Sequence, residues 1–308
     1  MKRILILLGI GLITVETAFA QALDGKKSPA EIIAEAGPAQ WRDVEPAQIL
    51  VFELQRGRVT VELSDVFAQG HVRQVKRLVK AGYYDGLSFY RVIDGFVAQG
   101  GDPFGKRELP EGTLKNLPAE FEEKQSKEVI VDSKAGFDTD VYARKVGVYN
   151  GFPIGVDHND FRQSWLLHCT GVMAFGRNAG RDSASTEFYF TLQPQRYLDR
   201  NLTVFGKVID GMEHLQTLKR QLPPQSEDDP LGETILRAWM GDQAPEGEAI
   251  PAWQVFRTET KIFDDYVEAR RNRPEVFFYY RPNHVDVCQL TIPVREKPDG
   301  AQDLQRVE

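Results

Sequence analysis

Between Phe89 and Asp102 the chain sets a guanidinium (Arg91), an aromatic ring (Phe96) and an amide (Gln99) at alternate-face spacing on two short β-prone runs joined by Asp94-Gly95. A guanidinium stays charged at any physiological pH. Beside apolar surface it can give directed hydrogen bonds to a neutral peptide group in a partly dry groove. The pattern suits a polypeptide rather than a phosphate. The glycine-containing turn Phe175-Gly176-Arg177-Asn178-Ala179-Gly180 lacks a Gly-Lys-Ser/Thr ending and has no dinucleotide-binding unit around it.

Other chemistry-bearing residues are weaker. His168 beside Cys169 falls in an expected strand, where neighbouring side chains face opposite ways, so no shared metal is expected. Asp138, Asp140 and His158 read as solvated loop residues. Taken singly, Arg91 could be a surface partner of Glu187, and Phe96 and Tyr189 could be ordinary core. Cys169 and Cys288 are too few for a disulfide scaffold or a zinc cluster. One bridge in an oxidising compartment and two buried thiols both remain open.

The elements that must position these residues begin after a leader. Lys2-Arg3, the apolar run Ile4 to Ile13 and Ala18-Phe19-Ala20 have the form of an export signal over residues 1–20, the other reading being a single membrane anchor. Its removal takes the basic count from 38 to 36 and the acidic from 45 to 44, a net charge near −8, which argues against a nucleic-acid or anionic-membrane surface. With 42% hydrophobic residues the chain can build a substantial core. Ser28-Pro29-Ala30-Glu31 predicts a capped leader helix ended near Gly37. Ile49 to Leu54 and Arg58 to Leu63 read as a hairpin, and Val72, Val75, Leu78 and Val79 as a helix between Ala68 and Ala81. Further strands are expected at Leu87–Ile93, Phe96–Gly100, Leu166–Phe175, Glu187–Leu192, Val204–Ile209 and Ile235–Met240, with a second helix between Gly211 and Gln221. Many short strands with two core helices favour a closed antiparallel barrel capped at its ends.

Three blocks then carry a family resemblance. Phe89-Tyr90-Arg91-Val92-Ile93 through Phe96-Val97-Ala98-Gln99-Gly100-Gly101-Asp102 resembles the catalytic strand pair of the cyclophilins, peptidyl-prolyl cis-trans isomerases. Gly171 to Asn178 with Asp182 to Phe190 is similar to their second signature, and Leu198-Asp199 with Leu202 to Met212 to their third. The resemblance runs from about Gln48 to about Asp242, interrupted near Lys124 to Ser164.

The resemblance implies a mainly β fold, a closed eight-stranded antiparallel barrel capped by two α-helices, with a proline-binding groove on its outer face and no cofactor or metal. It implies Arg91 as the catalytic donor and Gln99 as its orienter. Phe96, Val97, Tyr189 and Leu198 would make the proline pocket, and the Asn178 carbonyl would accept from the residue before proline. Glu187, Tyr197 and Leu202 complete the expected groove. Val97, Glu187, Tyr189, Tyr197 and Leu202 depart from the family's usual Met, Gln, Phe, Trp and His. Glu187 is expected to pair with Arg91 or Arg177. Rotation about an X-Pro bond faces a barrier of about 18–20 kcal/mol, which a donor at the prolyl nitrogen would lower.

The organisation expected is a signal segment 1–20, a leader segment 21–45, an isomerase domain 46–242 with an insertion at about 124–164, and an extension 243–308 packed on the barrel. The insertion reads as an ordered excursion with turns, such as Asp132 to Gly136 and Tyr149 to Gly155, near one end of the groove. In the extension, a helix near Ile262 to Val267 and a hairpin of Val276–Tyr280 with Val285–Ile292 are expected. The partners are proline-containing polypeptides met in the periplasm, with no nucleic acid, no membrane after signal removal, and a possible protein partner at the extension. The competing class is a proline-recognising chaperone or assembly factor with little turnover.

Overall fold

The computed structural model describes residues 25–64, 66–124, 140–229 and 231–298. The expected signal segment, the turn Asp132 to Gly136 and Asp138 lie outside them. In chain order the elements are α1 (Pro29–Glu35), β1 (Trp41–Asp43), β2 (Ile49–Leu54), β3 (Gly57–Leu63), α2 (Gln69–Lys80), β4 (Ser88–Val92) and β5 (Val97–Gly101). There follow β6 (Glu123–Lys124), β7 (Lys145–Tyr149), β8 (Phe152–Val156), β9 (Gln163–Leu166), β10 (Val172–Arg177), β11 (Ala184–Thr191) and β12 (Val204–Asp210). The last are α3 (Met212–Gln216), β13 (Glu233–Met240), β14 (Trp253–Phe256), α4 (Lys261–Arg271) and β15 (Val294–Glu296).

Eight strands close a barrel in the order β10-β11-β5-β4-β13-β2-β3-β12, with every pairing antiparallel. Side chains alternate across each strand, so Leu50, Phe52, Phe188 and Phe190 point inward while Ile49, Val51, Glu187 and Tyr189 point out. Inside, Phe52 packs on Phe188 with ring centroids 4.9 Å apart and on Phe190 at 5.9 Å. Full burial of one such ring contributes about 1.5–3 kcal/mol. Helix α2 adds Val72, Val75, Leu78 and Val79 to the same core. Helix α3 ends at Gln216, earlier than expected, with Thr217 as its C-cap and the Thr217 hydroxyl donating to the Glu213 carbonyl at 2.8 Å.

Parts of the outer face away from β4, β5 and β11 are covered too. A three-stranded sheet, β1-β14-β15, lays Trp253 and Val255 over Ile49, Val51 and Trp239. The insertion forms a four-stranded sheet in the order β6-β9-β8-β7, and its Val146, Val148, Ile154 and Trp165 share one apolar cluster with Val172, Ala174 and Val204 of the barrel. Asn150-Gly151 turns the β7–β8 hairpin, with φ of +47° and +79°, values that favour Asn and Gly. Helix α1 carries the expected capping box between Ser28 and Glu31, and the Thr260 side chain caps α4. A disulfide joins Cys169 to Cys288, so the bridge left open by the sequence ties the extension to the segment entering β10.

Two expected elements are corrected. The single strand over 166–175 is broken: β9 ends at Leu166 and β10 starts at Val172. Between them the His168 N–H leaves the ladder for the Asp199 carboxylate at 2.8 Å, and Gly171 turns at φ +77°. The expected hairpin at 276–292 is absent. Val276, Phe277, Tyr279 and Tyr280 are exposed without a strand partner, and Val287–Gln289 is a 3₁₀ turn. β-propensity alone did not decide the outcome there, because a strand forms only where packing brings it a partner.

Candidate active site

The groove is built on β4, β5 and β11. Gln99 of β5 stands opposite Arg91 of β4 on one side and Tyr189 of β11 on the other. The register shifts between Ser88 and Arg91, an irregularity that lets Tyr90 and Arg91, sequence neighbours, both line one cavity. That cavity holds about 410 Å³ and is walled by Phe96, Val97, Tyr189, Leu198 and Leu202 on its apolar side.

Arg91 is held by two neighbours. Its Nη1 donates to Gln99 Oε1 at 3.0 Å, and its guanidinium carbon lies 5.3 Å from the centre of the Phe96 ring. Gln99 in turn donates from Nε2 to the Tyr90 hydroxyl. The Asp94-Gly95 turn between the strands, with Gly95 at φ +63°, is fixed by Gln195 Nε2 on the Gly95 carbonyl at 2.8 Å.

Glu187 does not pair with either arginine. Arg177 is spent elsewhere: it donates to the carbonyls of Asn201 and Asn178, each at 2.9 Å, and stacks on Phe121. Glu187 Oε1 instead accepts from the Asp102 N–H at 2.7 Å, and Tyr90 adjoins the same carboxyl. Gly101 makes the room, since a Cβ there would lie 2.4 Å from Oε1. Burial raises the Glu187 pKa to about 7, although the nearby Tyr90 hydroxyl, the Asp102 N–H and Thr186 favour the ionised form. Burial together with Glu187 also pushes the Tyr90 phenol well above its ordinary value.

Beneath the pocket lies a polar chain that sequence reasoning missed. His168, fully buried, places Nδ1 3.1 Å from Asp199 Oδ1 and Nε2 3.0 Å from the Tyr189 hydroxyl. An ionised carboxylate only accepts, so Nδ1 carries a hydrogen and the tyrosine hydroxyl can donate to Nε2. Tyr189 thus turns its polar end into the protein and leaves its ring to the cavity. Its phenol is pushed well above its ordinary pKa by burial.

Of the residues singled out in the sequence, Arg91, Phe96, Val97, Gln99, Asn178, Glu187, Tyr189, Leu198 and Leu202 line this one cavity. Tyr197 does not. It is 57% exposed, because the 3₁₀ turn Arg196–Leu198 points Leu198 inward and Tyr197 outward. Asn178 is exposed, and its carbonyl already takes the Arg177 bond, with one lone pair left. Tyr90 and His168 were missed as site residues. The only signal for Tyr90 is its place beside Arg91, and strict alternation along a regular strand would put neighbouring side chains on opposite faces. Among the described residues no cluster of three or more His, Cys, Asp or Glu could hold a metal, and no helix is long and apolar enough to cross a membrane.

An eight-stranded closed barrel whose outer groove sets an arginine, a glutamine and a phenylalanine around an apolar recess defines a cyclophilin-type protein. The family model "Cyclophilin type peptidyl-prolyl cis-trans isomerase/CLD" matches residues 49–239, and the chain belongs to that isomerase family. A "Probable peptidyl-prolyl cis-trans isomerase" of Brucella suis is 28% identical over 181 residues, covering 57% of this chain and 74% of the relative. "Peptidyl-prolyl cis-trans isomerase ppi1" of Schizosaccharomyces pombe is 31% identical over 157 residues, 51% of this chain and 75% of the relative. The crystal structure of cyclophilin AquaCyp293 from Hirschia baltica superposes with a TM-score of 0.68 at 29% identity, covering 89% of this chain and all of that one.

Proposed function

We propose that the chain isomerises X-Pro bonds of exported polypeptides, without covalent chemistry, by presenting Arg91 to the prolyl nitrogen while the ring sits in the recess of Phe96, Val97, Tyr189 and Leu198. The planar imide shares its nitrogen lone pair with the carbonyl. Twisting returns that pair to nitrogen, so a donor aimed there is bound more strongly in the twisted state than in the planar one. Gln99 holds the guanidinium to one heading, and the permanent charge of Arg91 needs no pKa adjustment. The carrying observation is Arg91 at the mouth of an apolar recess, bonded to an amide rather than neutralised by a carboxylate.

A protease-coupled assay on an Ala-Pro peptide tests this. Wild type should turn over fast and Arg91→Ala slower by about 10²–10³-fold, the size of effect expected for one transition-state donor. Equal slow rates with retained peptide affinity would instead support a proline-recognising chaperone. Export rests on the pattern of residues 1–20 and on the Cys169–Cys288 bridge, which suits an oxidising compartment. N-terminal sequencing of the periplasmic fraction should begin at Gln21; recovery only in the cytoplasm would refute it.

A further inference from the structure

We propose that the insertion positions the proline pocket through a continuous polar chain, Asp140–Arg196–Asp199–His168–Tyr189, with His168 as its positioning residue. The inference rests on the isomerase groove described above, but on different atoms.

Each link is a short contact between charged or polar groups. Asp140, at the start of the described part of the insertion after residue 124, takes both Arg196 terminal nitrogens, at 2.8 and 2.9 Å. Asp140 is itself fixed by the N–H groups of Tyr142 and Ala143 at 2.8 and 2.9 Å. Arg196 Nε reaches Asp199 Oδ2 at 2.5 Å, and the other oxygen of Asp199 holds His168 through both its backbone N–H and Nδ1. His168 ends on the Tyr189 hydroxyl. The Asp140–Arg196 pair is about nine-tenths buried on both sides, so solvent screens it little. A fork of two parallel bonds also fixes angle as well as distance.

The same grip is repeated along the rim. Arg200, at φ +61°, donates to Asp157 of the insertion at 2.8 Å and to Glu122 at 2.6 Å, and lies over Trp165 of β9 at 4.8 Å. Leu198 of the pocket wall therefore lies between two arginines that both grip the insertion, and Leu202 follows two residues after the second. The chain also accounts for a tyrosine at 189. A buried hydroxyl left without a partner is costly, and His168 Nε2 supplies one at 3.0 Å. Held by His168, the ring presents only carbon to a bound proline.

The test is a double-mutant cycle on full-length protein with an Ala-Pro tetrapeptide. Asp140→Asn should raise KM about 5- to 20-fold with kcat changed less than twofold, and Asp140→Glu should restore most of the loss. In a Tyr189→Phe background, where only the part of the grip that reaches Leu198 through Arg196 is left, the same Asp140→Asn change should raise KM clearly less than it does in the wild-type background. An unchanged KM for Asp140→Asn, or an equal penalty in both backgrounds, would overturn the proposal. Calorimetric affinity for an uncleaved proline peptide, measured on the same four proteins, separates the two readings. If wild type shows no turnover yet affinity follows the cycle, the isomerase reading falls and the polar chain stands. If turnover is normal and affinity ignores Asp140, the chain falls alone.

Discussion

Arg91 and Gln99, on adjacent strands, face each other with Nη1 of the one 3.0 Å from Oε1 of the other. That bond leaves the arginine's charge unneutralised while limiting where it can point. Gln99→Leu keeps bulk and removes the acceptor. It should lower kcat/KM by about 10²-fold, the usual consequence of a displaced reacting group, with little change in unfolding midpoint. Retained activity would show that Phe96 alone is enough to aim the guanidinium.

Glu187 gives a pH signature. Its carboxyl is raised from 4.5 in the unfolded chain to about 7 by burial, so between those values the folded state holds the extra proton. Stability from this group is therefore full below about pH 4.5 and falls as pH rises through about 7, by on the order of 3 kcal/mol. Urea midpoints of wild type should drop between pH 5 and pH 8 relative to Glu187→Gln. Parallel profiles for the two proteins would refute the assignment.

A buried ionic cluster joins the insertion to the barrel and β1. Glu62 contacts Arg42 at 2.5 Å and Lys207 at 3.3 Å, and Lys207 donates to the Gly151 carbonyl at 2.6 Å. Burial lowers the Lys207 pKa, with Glu62 opposing. Glu62→Gln would leave two cations facing each other and should cost about 3–5 kcal/mol in chemical denaturation. Pairing it with Lys207→Met should recover part of that loss, and additive losses would speak against the cluster.

The Cys169–Cys288 bridge closes a loop with a sequence separation of 119. Removing it by Cys288→Ser should destabilise the chain by about 2–4 kcal/mol. Limited proteolysis should then cut first in the extension after Arg271, where the aromatic run Val276–Tyr280 is already exposed. Identical cleavage patterns for wild type and variant would exclude this anchoring role.

Much of this protein was legible in order along the chain. The strand pair around Arg91 and Gln99, the capped leader helix and the Asn150-Gly151 turn depend on contacts within a few residues, where local propensity and alternation act directly. What lay hidden depends on residues far apart. Whether Glu187 meets an arginine or the Asp102 amide, whether the aromatic run near 278 joins a sheet, and how Tyr197 turns from the groove were fixed only when distant elements came together. The irregularity at Arg91 hid Tyr90, and the break after Leu166 hid His168. Sequence alone determined which side chains could do the chemistry. Tertiary structure decided which of them share a cavity and which atoms hold them, because a hydrogen bond or a sheet edge is taken by whichever neighbour packing brings within about 3 Å.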